Sequence, residues 1–295
     1  MVEKNTTSRI IFNIFNYSFM ITLAITIIIP FLNCFSLSLS DPAAVRAGEV
    51  SLWPVGFNMK AYDLIFDDKQ FFRAMLNTVF LTVVNTLLLI TISLLAGYAL
   101  QSKYCQHVKL KTLFILIPMY FGGGMIPSYI LINNWLQLRD SYLAMVLPVL
   151  VSPFLIIIFR NNIANLPKEM SESAEIDGAG DFVILVRILL PLIVPTVIAF
   201  IISNAVGYWN EWFNCMIYIQ SPSKYTLQYT LRNILATNTI SPESLKGTAV
   251  NINDLVHPQN IKMAALFVTI LPIMLIYPFL QRYFIHGVIV GALKG

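Results

Sequence analysis

Between Leu166 and Asp181 the chain gathers Glu169, Glu172, Asp177 and Asp181 around Ser173, Ala174 and Gly178, with neither a His nor a Cys among them. Their order along the chain is that of a short surface helix with small residues at its middle and a glycine at its end, which suits docking. Pro167 suits the first turn of a helix, where its missing N–H costs nothing, and Glu169 and Glu172 follow where the positive end of the helix dipole favours acids. Asp177-Gly178 supplies the stop, because glycine readily takes the left-handed conformation after a helix. The spacing predicts a helix of about three turns. Its Met170 and Ala174, with Ile176 as a further candidate, face a protein groove, while Ser173 and Ala174 permit close approach and the charges set orientation.

Other chemistry is hard to assemble. His107, His257 and His286 are dispersed, and Cys34, Cys105 and Cys215 sit in three separate stretches without C-x-x-C or Cys/His spacing, so no metal site or nucleophilic triad is expected. The cysteines read as small apolar fillers. The phosphate-cradling loop G-x-x-x-x-G-K-[ST] is absent as well.

The elements that must carry the acidic segment are apolar. The 295 residues are 57% hydrophobic and 12% charged, against about 25% charged in a water-soluble domain. That excludes a soluble enzyme and a disordered chain and makes lipid the main solvent. The net charge of +4 is too scattered for a nucleic-acid footprint. Six runs free of Lys, Arg, Asp and Glu are long enough to cross a bilayer: Ile14 to Phe35, Ala74 to Leu100, Thr112 to Leu136, Ser141 to Phe159, Ile188 to Tyr208 and Met263 to Gln281. The first is longer than the h-region of a signal peptide and reads as an uncleaved span, despite the small residues at 42–45.

The short linker holding Lys103, Lys109 and Lys111, against one holding only Arg139, places residues 1–13, 160–187 and 286–295 in the cytoplasm. Residues 36–73 and 209–262 are then external. The first is rich in turn signals and reads as a folded cap; in the second, Leu227, Leu231, Ile234 and Leu235 fall at helical spacing and predict an amphipathic helix.

Pro30, Pro118, Pro127, Pro148, Pro153, Pro191, Pro195, Pro272 and Pro278 lie inside the spans, and Gly122-Gly123-Gly124 interrupts the third. Two readings stay open: a broken helix lining a transport path, or close packing through small residues. The spans contain no carboxylate to carry a coupling ion; Asn85 and Asn204 are polar but do not titrate. An active transporter of this kind needs an ATPase on another polypeptide.

Glu172-Ser173-Ala174, three residues, Gly178, nine residues, then Ile188, Leu190 and Pro191 resembles the EAA loop of bacterial ABC importer permeases, with Ser173 standing where alanine is usual. Trp209-Asn210-Glu211-Trp212-Phe213, Ile261-Lys262-Met263-Ala264-Ala265 and the ending from Tyr277 to Gly295 are similar to maltose-type carbohydrate permeases. Phe121-Gly122-Gly123-Gly124-Met125-Ile126-Pro127 resembles the branch that imports complex or uronate-containing oligosaccharides.

The resemblance implies an all-α, six-span type I importer domain of the MetI-like kind over residues 14–285. It makes Glu169, Glu172, Ser173, Ala174, Asp177 and Gly178 the ATPase-coupling residues, and Gly287, Gly291, Lys294 and Gly295 an ATPase-contacting tail. It further implies a homologous second permease, two ATPase subunits that hold ATP and Mg, and an extracytoplasmic solute-binding protein; this chain holds no cofactor and performs no covalent step.

Aromatic faces and planar polar groups suit a sugar, which makes Tyr120, Asn204, Tyr208, Trp209, Asn210 and Glu211, with Trp212, candidates for the substrate path. Trp212 and Tyr218 read equally as interface anchors, and Asn204 and Glu211 as helix-to-helix hydrogen bonders. An ion-coupled secondary sugar carrier is the alternative.

Overall fold

The computed structural model describes residues 7–237 and 256–292. Lys294 and Gly295 of the expected tail, residues 1–6 and the stretch 238–255 of the expected external segment lie outside the described residues. In chain order the helices are α1 Thr7–Ser38, α2 Pro42–Ala47, α3 Lys60–Asp67, α4 Lys69–Gln101, α5 Val108–Tyr120, α6 Met125–Ile130, α7 Leu143–Val146, α8 Pro153–Ala164, α9 Lys168–Ile176, α10 Asp181–Val183, α11 Leu190–Trp209, α12 Phe213–Tyr218, α13 Leu227–Thr237 and α14 Pro258–Ala292. No strand occurs among the described residues.

Four segments, Thr7–Ser38, Lys69–Gln101, Asp181–Trp209 and Pro258–Ile276, are each long and apolar enough to cross a membrane. Two bent pairs, Val108–Tyr120 with Met125–Trp135 and Leu143–Val149 with Pro153–Ala164, bring the number to six if each is one span. The glycines do what their position predicts. At Phe121-Gly122-Gly123-Gly124 the chain turns by 106°, and Gly124 has φ +82 with extended ψ, a conformation open to glycine alone. The second bend, 46°, falls at Ser152-Pro153, where the Ser152 hydroxyl accepts the Leu155 N–H at 3.3 Å and Pro153 opens α8.

Pro30, Pro118, Pro195, Pro272 and Pro278 are accommodated inside helices. Ahead of Pro191 the helix widens into a π turn, Ile184–Leu189, in which the Leu190 N–H reaches the Leu185 carbonyl. Proline cannot donate to the carbonyl four residues back and crowds it, and the wider turn relieves that clash.

The described residues fall into two compact units. In the first, 7–71 with 231–237 and 256–270, the expected cap is folded. Asp41 caps α2 by accepting the Ala43 N–H at 2.9 Å, Ser36 donates to the Leu52 carbonyl at 2.7 Å, and Ser38 and Tyr62 share a hydrogen bond of 2.8 Å. Asn260, buried, donates from one amide nitrogen to the Leu37 and Ser40 carbonyls at 2.8 Å each. Nearly all of α1 is exposed apolar surface, as lipid requires.

In the second unit, 72–230 and 271–292, the core gathers Leu89, Leu94, Phe159, Ile163, Ile184, Leu189 and Ile193 from α4, α8 and the helix through α11. Helices α4 and α8 touch at backbone distance beside Gly97, where an added Cβ would meet the Arg160 nitrogen at 2.9 Å and the Ile156 carbonyl oxygen at 3.0 Å. Leu227 of α13 is buried in this unit, and Leu231 and Ile234, which belong to the first, are buried too as the periodicity predicts, while Leu235 is exposed.

Candidate functional site

The acidic segment folds as one device. Helix α8 ends at Ala164, Leu166 turns inward onto the core, and Pro167 stands as the N-cap of α9 at φ −59, ψ 124. The sequence reading put Pro167 inside the first turn; its ψ is extended, so the helix begins one residue later. At the far end the Gly178 N–H reaches the Glu175 carbonyl at 3.0 Å and the Ala179 N–H reaches the Ala174 carbonyl at 2.9 Å. Gly178 closes the helix at φ +82, with nothing within 4 Å of where a Cβ would sit. Its conformation, rather than crowding, calls for glycine.

The two faces of α9 differ. Ala174 is partly buried against the core with Leu166 and Ala179, so the small residue permits close approach to its own chain. Glu169, Glu172, Ser173, Asp177 and Gly178 are exposed, with Met170 and Ile176; Ile176 is 87% exposed and Phe182, just beyond, 70%. Phe182 escaped the sequence reading because it lies past the glycine stop. The loop is also tied to α4. Lys103 forms an ion pair with Glu175, and the Tyr98 hydroxyl donates to Asp181 Oδ1 at 3.2 Å. Glu175 draws the Lys103 ammonium pKa upward by stabilising its charge.

The expected substrate-path residues are mostly engaged in holding local structure. Asn204 donates to the Phe200 carbonyl and Asn210 to the Val206 carbonyl, each at 2.8 Å and one turn back. Glu211 accepts the Asn214 backbone and side-chain N–H groups at 2.8 and 3.0 Å, capping α12. Trp209 is only 8% exposed. Tyr208 donates to the Val149 carbonyl at 3.5 Å. Tyr208, Trp209, Asn210 and Glu211 are brought together at the end of α11; Tyr120, exposed, ends the separate helix α5. Tyr218 is buried and stacks on Tyr129 at 6.2 Å, so it packs the core and does not anchor an interface.

Asp140 was missed, because a lone Asp in a short linker carries no motif. It adopts φ +55, and its carboxylate accepts the Gln220 and Ser221 backbone N–H groups at 3.0 Å each, the Ser221 hydroxyl at 2.5 Å and the Lys224 ammonium at 3.1 Å. The Ser221 bonds hold its carboxyl well below the usual carboxylate range. Asn77 adds a second clasp, donating to the Ser223 and Tyr225 carbonyls at 2.9 and 3.0 Å while accepting the Tyr142 hydroxyl at 2.9 Å.

Residues 5–290 match the family described as the inner membrane component of binding-protein-dependent transport systems. The chain belongs to that family. It is 33% identical over 292 residues, 99% of its own length and 97% of the relative's, to protein LplC of Bacillus subtilis. It is 31% identical over 287 residues, 97% of its own length and 99% of the relative's, to the polygalacturonan/rhamnogalacturonan transport system permease protein YtcP of the same organism. It also superposes on a chain of a bacterial ABC transporter involved in the import of the acidic polysaccharide alginate, with TM-score 0.88 and 27% identity, covering 96% of this chain and 100% of that one.

This inner-membrane component is therefore a multi-pass ABC permease subunit that has no catalytic part in the transport reaction. Family membership removes the ion-coupled secondary carrier from consideration.

Proposed function

We propose that the chain is one of two homologous permease subunits of an ATP-driven importer of oligosaccharides, uronate-containing ones among them, delivered by an extracytoplasmic solute-binding protein. The observation that carries this reading is the outward face of α9 and its flank, where Met170, Ile176 and Phe182 stand exposed beside Glu169, Glu172 and Asp177. Burying an isoleucine or a phenylalanine side chain against a partner contributes roughly 1.5–3 kcal/mol, and an apolar patch ringed by acids is the kind of surface that a protein partner covers. Two ATPase subunits, holding ATP and Mg, are that partner in this proposal. The names of the polygalacturonan/rhamnogalacturonan and alginate systems support the cargo class.

In this reading residues 1–13, 160–187 and 286–295 are cytoplasmic and 36–73 and 209–262 external. Closure of the ATPases pulls α9 and the spans tilt to open outward toward the docked binding protein; hydrolysis resets the inward-facing state. Gly287 and Gly291 of α14, with Lys294 and Gly295, form a tail that enters between the ATPases. Tyr120, Asn204, Tyr208, Trp209, Asn210 and Glu211 remain the proposed neighbours of the sugar. The test is ATP hydrolysis by the reconstituted assembly against neutral and uronate oligosaccharides presented on the binding protein. Stimulation confined to the uronates supports the proposal in full. Stimulation by neutral sugars alone removes the acidic cargo, and none by any sugar removes carbohydrate import.

A further inference from the structure

Behind α9 the apolar contact with the core is made by Ala174, with Leu166 and Ala179 flanking the helix. Beside that contact lies a cavity of about 390 Å³, whose lining includes Tyr98, Lys103, Glu172, Glu175 and Asp181. Two polar links join its walls. Lys103, two residues beyond the end of α4, pairs with Glu175 in the last turn of α9, and Tyr98, in the last turn of α4, donates to Asp181 at the first residue of α10. The partners thus lie on either side of the Gly178 stop. The Lys103 ammonium also sits 5.3 Å from the centre of the Tyr104 ring, a cation–π contact that narrows its positions. Tyr98 packs its ring on the same core as α8 and α11.

We propose that Lys103 and Tyr98 are positioning residues that fasten the coupling loop to α4 at two points, so that displacement of α9 is passed directly to that span. The proposal rests on the reading of α9 as the ATPase-docking helix. An exposed ion pair adds little to folding stability, so its expected role is mechanical. A soft contact over a cavity allows α9 to move while α4 lags, whereas two links spaced along the loop resist both translation and rotation of α9 against α4.

The test uses the full transporter in proteoliposomes and compares uptake of labelled oligogalacturonate and alginate oligosaccharides with ATP hydrolysed, in the wild type, Lys103→Glu, Glu175→Lys, the double swap, Tyr98→Phe and Gly178→Val. The expected result is that Lys103→Glu and Glu175→Lys each lower the sugar-to-ATP ratio about fivefold or more. The double swap should recover it to within about twofold, and Tyr98→Phe should lower it two- to threefold. A ratio in Lys103→Glu equal to that of the wild type, or a double swap no better than either single change, overturns the proposal. If Gly178→Val uncouples while Lys103→Glu does not, docking through α9 stands and the links to α4 fall. If neither changes the ratio, the docking reading itself falls.

Discussion

Asp140 accepts the backbone N–H of Ser221 at 3.0 Å across 81 residues of sequence, and the same carboxylate takes the Ser221 hydroxyl and the Lys224 ammonium. One side chain thereby fastens the turn before α7 to the turn before α13. The Asp140 N–H, donated to the Tyr218 carbonyl at 2.9 Å, adds a backbone link to the same segment.

Replacing Asp140 by alanine leaves two backbone N–H groups and the Ser221 hydroxyl without their acceptor, while the Lys224 ammonium keeps only the residue-140 backbone carbonyl, and is expected to cost about 1–3 kcal/mol. The carboxyl is held below its ordinary value near 3.9, so its contribution is complete above about pH 5 and is lost progressively as pH falls from there through the lower folded-state value. Thermal unfolding in detergent should show a clear gap between wild type and Asp140→Ala at pH 7 that narrows in strong acid. Equal midpoints at pH 7 would refute the clasp.

Gly178→Val forces a β-branched residue to φ +82, at about 1–2 kcal/mol of local strain. Gly178→Asn is expected to be milder, because asparagine tolerates the left-handed region. Amide exchange over α9 should accelerate in the order wild type, Asn, Val. The same rate in all three variants would mean that the helix does not depend on this stop.

Gly97→Ala pushes a methyl against the backbone of α8 at 2.9–3.0 Å and is expected to destabilise by roughly 1–3 kcal/mol. Gly97→Leu should prevent accumulation of folded protein in the membrane. Wild-type levels of Gly97→Leu, measured by fluorescence-detected size exclusion, would contradict the close crossing of α4 and α8.

Asn260→Leu removes the donor shared by the Leu37 and Ser40 carbonyls, with an expected loss of about 1–3 kcal/mol. Asn260→Asp keeps the shape but aims an acceptor at two acceptors, so its melting temperature should fall below that of Asn260→Leu. The reverse order would show that volume, rather than donation, governs this site.

Much of the acidic loop was legible because its signals are local. Pro167, Glu169, Glu172 and Gly178 act on the backbone within one or two turns, and the helix they specify is α9, shifted by one residue at its start. The break at Gly122-Gly123-Gly124 was legible for the same reason. The packing of Ala174 on the chain's own core was not legible, because a small residue permits close approach on either side of a helix and periodicity does not say which side that core lies on. Tyr218 misled because an aromatic near a span end is equally at home in an interface or against Tyr129. Asn204, Asn210 and Glu211 were recognised as polar groups in the right region, but the two amides donate to carbonyls one turn back, Asn210 also accepts the Gln228 amide, and Glu211 serves the start of α12.

By itself the sequence determined the solvent, the helical class, the apolar segments, the acidic loop and its glycine stop, since each follows from hydropathy or from φ/ψ limits acting over a few residues. Only the tertiary structure decided that Asp140 meets Ser221, that Gly97 sits on the backbone of α8, and that Lys103 and Tyr98 reach across to Glu175 and Asp181. Those pairs lie tens of residues apart, and a hydrogen bond or a contact at 2.9 Å depends on how whole helices cross, which no local rule along the chain encodes.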